Sequence, residues 1–490
     1  MLMSICCVAA WWDLPSPQRL PLSLDMFNTV ELPVWALVLI GVLAAITAAS
    51  HFLFPSVRWF FRRRAERVVA RLNSKLARPI QPFKLARRHD MIQNVLYDPD
   101  VIRAVNKYAD EMGVPDNVAF ETAERYAREI VPAFSATMYF GLGIRVARLM
   151  SRSLYRVRVV NPRSEAMAAI DPEATVVYIM NHRSNMDYIL VTYLAARDSA
   201  LSYAVGEWAR VWPLRPLIKM MGGYFIRRKN LNPLYRRILA RYVQLSSKEG
   251  VAQAIFPEGG LSRTGALGQP KLGLISYIID GFQPDTARDV VFVPVGLNYD
   301  RVLEDRVLVA AAGDKSARFK FRISHLVRYV GRHLWHRITG KFHRLGFAGV
   351  AFGRPLSLRE FVSQHPEDTA LKLGAELMAR VGNVVPILPV SLVCHHIAQA
   401  GGQMSRSKLV AGFAQDVARL RAARREVCMP DESKDAAEGR AVNEALRMLE
   451  LRGLIAVAGD QIRLTSKAPE VIDYYAASIG QFCEDIKLQN

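Results

Sequence analysis

Short runs of strand-forming residues alternate with helix-like runs through the middle of the chain. TVVYIM, from Thr175 to Met180, is a continuous apolar run of strand length, whereas Pro233 to Lys248 repeats its apolar residues at helical spacing. This order predicts an α/β fold with a mixed or largely parallel sheet flanked by helices, whose reactive residues lie on loops at strand ends. The predicted strands are 155–160, 175–180, 200–205, 224–226, 251–256, 290–297 and 347–352, and the helices between them include 185–197, 233–248 and 271–281.

One long apolar run precedes this region. Val34 to Phe54 contains no acid, lysine or arginine, and it is long enough to cross a hydrocarbon core of about 30 Å. Arginines follow it at once, so the positive-inside rule places the N-terminus outside and the rest in the cytoplasm, on a bacterial-type inner membrane. A helix lying in the interface is the alternative, and a cleaved signal peptide fits less well because the residues before the run are not basic. We expect 1–57 to be a disordered start plus this anchor. Residues 1–25 are interpreted either as disordered or as sequence upstream of a true start at Met26.

A basic belt and a helical unit occupy 58–150. Arg58 to Arg88 holds eleven lysines and arginines against one acid, Glu66, and such a belt can bind anionic lipid, although a solvated linker has the same composition. Asp98 to Met150 has helical periodicity and carries no evident chemistry. We interpret this segment as a helical N-terminal unit packed on a catalytic domain at 151–365.

The last third of the chain is mostly helical. Arg318 to Leu345 is amphipathic with a basic flank, which fits an interfacial helix and fits core packing nearly as well. Beyond it, 366–490 predicts a helical C-terminal domain with a polar linker at 429–439. Its end, a helix at 441–452, a hairpin at 454–465 and a helix from Glu470, predicts a winged-helix-like tail.

Charge narrows the class of partner. The 490 residues carry a formal net charge of +20, which indicates nucleic acid, anionic lipid or a phosphorylated substrate. The winged tail does not favour nucleic acid, because acids and bases are about equal in its last fifty residues. The five cysteines have no metal-ligand spacing, and His395 with His396 is interpreted as loop or packing, so we expect no metal and no cofactor.

The candidate chemistry lies at NHRSNMDYIL, residues 181–190. His182 and Asp187 stand five residues apart where the strand 175–180 gives way to a helix. A neutral imidazole can take a hydroxyl proton, and a carboxylate can fix its tautomer and orientation, so the pair predicts a general base. The plainer interpretation is a polar residue at a strand end followed by a first-turn acid, which a short pattern alone does not exclude.

Three further stretches follow in order: GGYFIRR (222–228), FPEGGLSRTGAL (256–267) and FVPVGLNYD (292–300). With the first, they resemble the four sequence blocks of the glycerolipid acyltransferase superfamily, and most closely the membrane-bound glycerol-3-phosphate acyltransferases. The resemblance covers about 152–300. One departure concerns acceptor-phosphate binding, since Leu261 stands where relatives tend to have arginine.

The resemblance and the chemistry of phosphate binding select the remaining site residues. An arginine offers a planar fork with two parallel hydrogen bonds, which suits a phosphate. The resemblance favours Arg227, Glu258, Gly259, Ser262 and Arg263 on the acceptor side. For Glu258 and Arg263 a plain surface ion pair is the alternative. Additional candidates are Arg183, Ser184, Arg228 and Lys271 for the substrate, and Pro294 for the acyl-side wall.

The function that this resemblance implies is acyl transfer from an acyl thioester, acyl-CoA or acyl-carrier protein, to the sn-1 hydroxyl of glycerol-3-phosphate. We expect His182 to act as the base and backbone N–H groups at a helix start to meet the oxyanion. Acylation of lysophosphatidate or dihydroxyacetone phosphate is the alternative. A membrane-tethered nucleic-acid-binding protein is a more remote one.

Overall fold

The computed structural model divides the chain into two compact units, Met1–Glu66 and Arg67–Asn490. In the first unit 34–36 and 38–42 are helical and largely exposed. Among the residues described, no helix is both long and apolar enough for a membrane span. Three predicted features lie outside the residues that the structure describes. They are most of the anchor, the helix at 318–345 up to residue 343, and Arg228. The described residues are 33–36, 38–42, 63–64, 66–160, 165–195, 198–206, 209–227, 232–285, 288–313, 344–430, 437–466 and 469–482.

The second unit is built on an eight-stranded mixed sheet. Its strand order is β1-β7-β6-β2-β5-β3-β4, with β8 paired to β6. Strands β2, β3, β4, β5 and β6 are parallel, while β7 and β8 run antiparallel to β6. The five parallel strands therefore share one carboxyl edge. The strands are β1 Arg156–Val160, β2 Thr175–Met180, β3 Ser202–Val205, β4 Gly223–Phe225, β5 Gln253–Ile255, β6 Val290–Tyr299, β7 Phe347–Phe352 and β8 Leu356–Ser357.

Alternation along the strands divides the core between the two faces of the sheet. Val177 and Ile179 of β2 face one core, whereas Val176, Tyr178 and Met180 face the other. Both faces are buried, which explains why β2 reads as a continuous apolar run rather than an alternating one.

Helices cover both faces. On the first face lie the N-terminal helices with α9, α10 and α13, and on the second lie α5, α7 and the C-terminal helices. Local signals set their ends: Asp98 accepts from the Asp100 N–H at the start of α3, and Gly113 ends it in the left-handed conformation. The helices are α1 Pro82–Leu85, α2 Arg88–Leu96, α3 Pro99–Met112, α4 Asp116–Ile130, a π-helix Thr137–Gly143, α5 Ile144–Leu154, α6 Glu165–Ala168, α7 Met186–Ala195, α8 Leu214–Met220, α9 Pro233–Lys248, α10 Gly273–Asp280, α11 Asp305–Gly313, α12 Leu358–Gln364 and α13 Thr369–Asn383.

The C-terminal segment has the element order helix, strand, helix, helix, hairpin, with a three-stranded antiparallel sheet β10-β11-β9. This is the order of a winged helix, and it begins well before the predicted tail. Its elements are α14 Pro389–Gln399, β9 Gln403–Ser405, α15 Arg406–Ala422, α16 Ala437–Leu451, β10 Ile455–Ala458, β11 Gln461–Leu464, α17 Pro469–Ala476 and a 3₁₀ helix Ala477–Phe482.

The histidine pair corrects one expectation about this segment. His395 and His396 belong to α14 rather than to a loop, and the His396 Nε2 lies 2.9 Å from a carboxylate oxygen of Asp416 on α15. Local sequence patterns did not indicate this partner, because Asp416 lies twenty residues away on the next helix. Both residues are largely buried, so the packing part of the interpretation holds.

The predicted α/β order agrees with the structure. β2, β7 and α9 have the predicted bounds, and the other predicted strands are present with shifted ends. Among the elements that the sequence analysis did not name are α8, α11, α12, α14, β8 and β9. One hydrophobic core contains residues from Ile80 to Phe482, so it spans all three predicted domains of this unit. The domain boundaries at 150 and 365 therefore stay predictions.

Candidate active site

The carboxyl edge of the parallel strands gathers the first three sequence blocks. His182 follows β2, Arg227 follows β4 and Glu258 follows β5. Asn181 fixes the exit of β2, because its side chain donates to the Leu297 carbonyl and accepts from the Leu297 N–H, each at 2.8 Å. The fourth block is thereby tied to the first.

His182 and Asp187 form a buried pair. The His182 Nδ1 lies 2.9 Å from the Asp187 Oδ2, and the two side chains are 3% and 0% exposed. The same Oδ2 accepts from the backbone N–H groups of Arg183 at 2.7 Å and Ser184 at 3.0 Å. The Oδ1 accepts from the Tyr299 hydroxyl at 2.7 Å. Four donors thus surround one carboxylate, which holds it as the acceptor of the imidazole proton.

This contact leaves a defined nitrogen for chemistry. With the proton on Nδ1 directed at Asp187, the lone pair of the neutral ring is on Nε2, the nitrogen available to an incoming hydroxyl. Phe256 stacks on the ring at 4.2 Å between centroids, and Tyr188 meets it edge-on at 5.4 Å. The ring is therefore fixed by packing as well as by its hydrogen bond.

Glu258 supports the backbone of the segment 181–187, which carries His182 and Asp187 and which we call the catalytic turn. Its Oε1 accepts from the His182 N–H at 2.8 Å and its Oε2 from the Gly268 N–H at 3.0 Å. Burial raises the pKa of Glu258, and these two backbone donors oppose the rise. No ion pair between Glu258 and Arg263 occurs among the described residues, so a surface ion pair does not describe this carboxylate.

The loop after β5 is folded by its own residues. Gly259 adopts φ +65°, and a Cβ there would stand 2.8 Å from the Lys271 Cδ, so the lysine stem lies over this glycine. The Ser262 Oγ donates to the Ala266 carbonyl at 2.7 Å and accepts from the Gly265 N–H at 3.1 Å. The Ser262 N–H also donates to the His182 carbonyl at 2.9 Å. Ser262 therefore joins the loop to the catalytic turn.

Arg183 points into protein. It is 2% exposed, its Nη1 donates to the Gly265 carbonyl, and its guanidinium lies 4.8 Å from the centre of the Tyr474 ring. Its Nε and Nη2 have no partner among the described residues. These contacts connect the first block, the third block and α17, and a phosphate-binding role for Arg183 stays a prediction.

Arg227 and Arg263 have different protein partners. Arg227 makes two hydrogen bonds to Glu129 of α4, at 2.9 and 2.7 Å, and its guanidinium lies over Tyr126 and Tyr235. Arg263 is exposed and donates to the Ala311 carbonyl at 3.1 Å. The two arginines thus bond different helices, α4 and α11. Their roles toward a phosphate stay predictions.

Burial alone would raise the pKa of Glu129. The hydrogen bonds and charges of Arg227 and Arg210 together outweigh burial and lower it. Arg227 is therefore held as one half of an ion pair.

Two site residues were missed by the sequence analysis, Tyr299 and Glu304. Glu304 accepts from the Ser184 Oγ at 2.8 Å and the Asn185 Nδ2 at 3.0 Å, so the predicted substrate residue Ser184 is engaged with it. Burial raises the pKa of Glu304. The sequence position of each residue was the only available signal. Tyr299 is the last residue of β6, which pairs with β2, and Glu304 directly precedes α11.

The backbone N–H groups at the entry to α7 are engaged within the protein. The five backbone N–H groups from Arg183 to Asp187 each have a protein acceptor, contributed by Asp187, Glu304 or Ser184. These five N–H groups are therefore not free for an oxyanion, and a donor at a helix start stays a prediction.

Two further predicted features have clear positions. Pro294 lies inside β6 opposite Ile179, at the point where pairing passes from β8 to β7, and its carbonyl accepts from the Gly353 N–H at 2.8 Å. Leu261 is half-buried against the hydrophobic core. The wall role of Pro294 stays a prediction.

Comparisons with known proteins match two stretches of the chain to families. Residues 157–298 match the acyltransferase family, and residues 337–476 match the glycerol-3-phosphate acyltransferase C-terminal region. The glycerol-3-phosphate acyltransferase of Pseudomonas putida (strain W619) is 26% identical over 329 residues, 63% of this chain and 38% of that protein. That of Aeromonas hydrophila is 28% identical over 297 residues, 60% and 35%. The chain thus spans less than two fifths of the length of these curated relatives.

A solved 1-acyl-sn-glycerophosphate acyltransferase from Thermotoga maritima is 17% identical with a TM-score of 0.28, covering 49% of this chain and 79% of that one. The region 157–298 that matches the acyltransferase family holds the His182–Asp187 pair, whose spacing is His-x4-Asp. Together with the matched C-terminal region and relatives at 26% and 28% identity, it makes the chain similar to glycerol-3-phosphate acyltransferases.

Proposed function

We propose that this protein transfers a fatty acyl group from an acyl thioester, acyl-CoA or acyl-carrier protein, to the sn-1 hydroxyl of glycerol-3-phosphate. The observation that carries the proposal is the buried His182–Asp187 pair, with the second carboxylate oxygen of Asp187 held by Tyr299. The named relatives are glycerol-3-phosphate acyltransferases, which supports this acceptor. The product is lysophosphatidate, an intermediate for phospholipid synthesis.

The mechanism follows from the tautomer. The His182 Nε2 takes the sn-1 hydroxyl proton as the oxygen attacks the thioester carbonyl, and Asp187 stabilises the imidazolium that forms. When the tetrahedral intermediate collapses, the C–S bond breaks and the imidazolium returns the proton to the thiolate. No covalent acyl-enzyme is needed in this sequence of steps.

The setting of the reaction is also part of the proposal. We place the catalytic domain on the cytoplasmic side of a bacterial-type inner membrane, with anionic lipids as partners. The basic composition and the lipid product support this placement. No nucleic acid and no cofactor enter the proposed reaction.

An assay with purified protein, palmitoyl-CoA or palmitoyl-acyl-carrier protein, and radiolabelled glycerol-3-phosphate tests the proposal. We expect labelled 1-acyl-glycerol-3-phosphate, and excess unlabelled lysophosphatidate or dihydroxyacetone phosphate should not suppress it as unlabelled glycerol-3-phosphate does. Suppression by one of these acceptors, with its own acylation, would assign the enzyme to that acceptor. Salt-sensitive DNA retention without any acyl transfer would favour the nucleic-acid alternative instead.

A further inference from the structure

The π-helix Thr137–Gly143 and α5, which follows it directly, expose large apolar side chains to solvent. Leu142, Val146 and Leu149 are 52%, 43% and 64% exposed, while Ala147 and Ser151 of the same turns are buried. At about 100° per residue, Val146 and Leu149 of α5 lie roughly 60° apart around the helix axis, and Leu142 precedes Val146 by about one turn. This stripe lies opposite the buried side of α5, so it has no partner in the described core.

A second exposed apolar group lies on the neighbouring element. Val211, Trp212 and Leu217 precede or belong to α8, and Trp212 is 83% exposed. The two elements are in contact, since a Cβ on Gly143 would stand 2.3 Å from the Met221 Sδ, and the Ser135 N–H donates to the Met220 carbonyl. We call the surface formed by these six apolar residues, 142, 146, 149, 211, 212 and 217, the apolar–basic face.

Its charges are of one sign. Arg145 and Arg148 are exposed beside the stripe on α5, and Arg215 belongs to α8. The sequence has no acid from Val131 to Ser164 and none from Trp208 to Lys248. The carboxylate of Glu129, which lies near Arg210, is already paired with Arg210 and Arg227.

We propose that the apolar–basic face docks on the surface of an anionic bilayer. Apolar side chains that stand out between arginines enter the boundary between headgroups and acyl chains, where tryptophan is favoured and guanidinium groups meet lipid phosphates. A protein partner that is acidic would use the arginines but would leave the tryptophan and leucines unexplained.

The apolar–basic face lies near the sheet edge that carries His182. This relates the docking to catalysis and rests on the proposed function. The loop carrying Val211 and Trp212 follows β3, whose carboxyl end lies on the same sheet edge as the end of β2 before His182. Docking by this face therefore brings the catalytic edge to the lipid, where a long acyl chain is soluble.

Site-specific fluorescence on the full-length protein tests the docking. Single cysteines are introduced as Leu149→Cys, Trp212→Cys and, as a matched control, Leu371→Cys, whose leucine is 61% exposed on α13. The background carries Cys6→Ser, Cys7→Ser and Cys483→Ser, while Cys394 and Cys428 are buried. Each protein is labelled with an environment-sensitive dye and mixed with phosphatidylglycerol vesicles that contain a spin-labelled quencher lipid.

We expect the dye at 149 and at 212 to lose emission to the quencher and the dye at 371 to keep it. The loss should be smaller with phosphatidylcholine vesicles. Equal quenching at all three positions, or none at 149 and 212, would overturn the proposal, as would a response at 149 and 212 to acyl-carrier protein but not to vesicles. The readout does not depend on catalysis, so absent acyl transfer with quenching intact would contradict the proposed function alone.

Discussion

At the scale of single residues, the Asp187 carboxylate is surrounded by four hydrogen-bond donors. Two are backbone N–H groups within the same turn, one is the imidazole, and one is the Tyr299 hydroxyl from another strand. The backbone donors follow from the local turn, whereas Tyr299 alone ties the carboxylate to β6. Burial and the charge of Asp187 both raise the pKa of Tyr299, so its hydroxyl stays a donor.

Tyr299→Phe removes only that donor. We expect kcat to fall about tenfold or more with little change in KM for glycerol-3-phosphate, since a hydrogen bond to a charged group is worth about 1.5–3 kcal/mol. Tyr139→Phe is the matched control, because Tyr139 is equally buried and accepts from the Leu201 N–H away from the catalytic turn. Steady-state kinetics on both variants make the comparison; an equal loss of kcat in both would assign Tyr299 to stability alone.

At the scale of elements, the loop after β5 lies between the catalytic turn and α17. Ser262 bonds the His182 carbonyl from one side, and Gly265, at φ +88°, meets the Tyr474 backbone on the other. The C-terminal helix therefore closes on the third sequence block through a contact that admits no side chain.

Gly265→Ala should be strongly destabilising. Its Cβ would stand 1.8 Å from the Tyr474 carbonyl oxygen, and the positive φ adds strain for any residue with a Cβ. We expect a clear drop in Tm together with lost activity. Gly273→Ala is the control, since no atom lies within 4 Å of its Cβ and its φ is ordinary. Similar thermal melts for the two variants would contradict the proposed closure.

Local sequence patterns predicted one contact of the site, and contacts between distant parts of the chain could not be predicted. His182 and Asp187 could be predicted because a strand end and a first helical turn are local patterns, and the pair is confirmed as a contact. The partners of Arg183 and Arg227 could not, because Tyr474 and Glu129 come from helices 291 and 98 positions away in the chain. From residue type alone, Arg183 and Arg227 were predicted as phosphate ligands. In the folded protein both guanidinium groups contact protein side chains.

At the scale of the whole second unit, one buried charge pair joins the catalytic and C-terminal segments. Arg452 contacts Asp305 at the start of α11, with both side chains under 8% exposed. The Tyr475 hydroxyl donates to the same Asp305 oxygen at 2.5 Å. An exposed pair, Arg156 with Glu444, joins β1 to α16.

Asp305→Ala leaves the Arg452 charge buried without its carboxylate. We expect the free energy of unfolding to fall by about 3–5 kcal/mol. Glu444→Ala, which breaks the exposed pair, should cost less than about 1 kcal/mol. Urea denaturation followed by circular dichroism measures both, and comparable losses would show that the buried pair does not hold the two segments together. The double variant Asp305→Leu with Arg452→Met should recover much of the loss.

The most direct test of the central claim is the turnover of glycerol-3-phosphate by His182→Ala beside the wild-type protein at equal folded concentration. General-base catalysis contributes about 10²–10⁴-fold, so kcat should fall by at least that range while the Tm changes little. Undiminished formation of 1-acyl-glycerol-3-phosphate by His182→Ala would contradict the account.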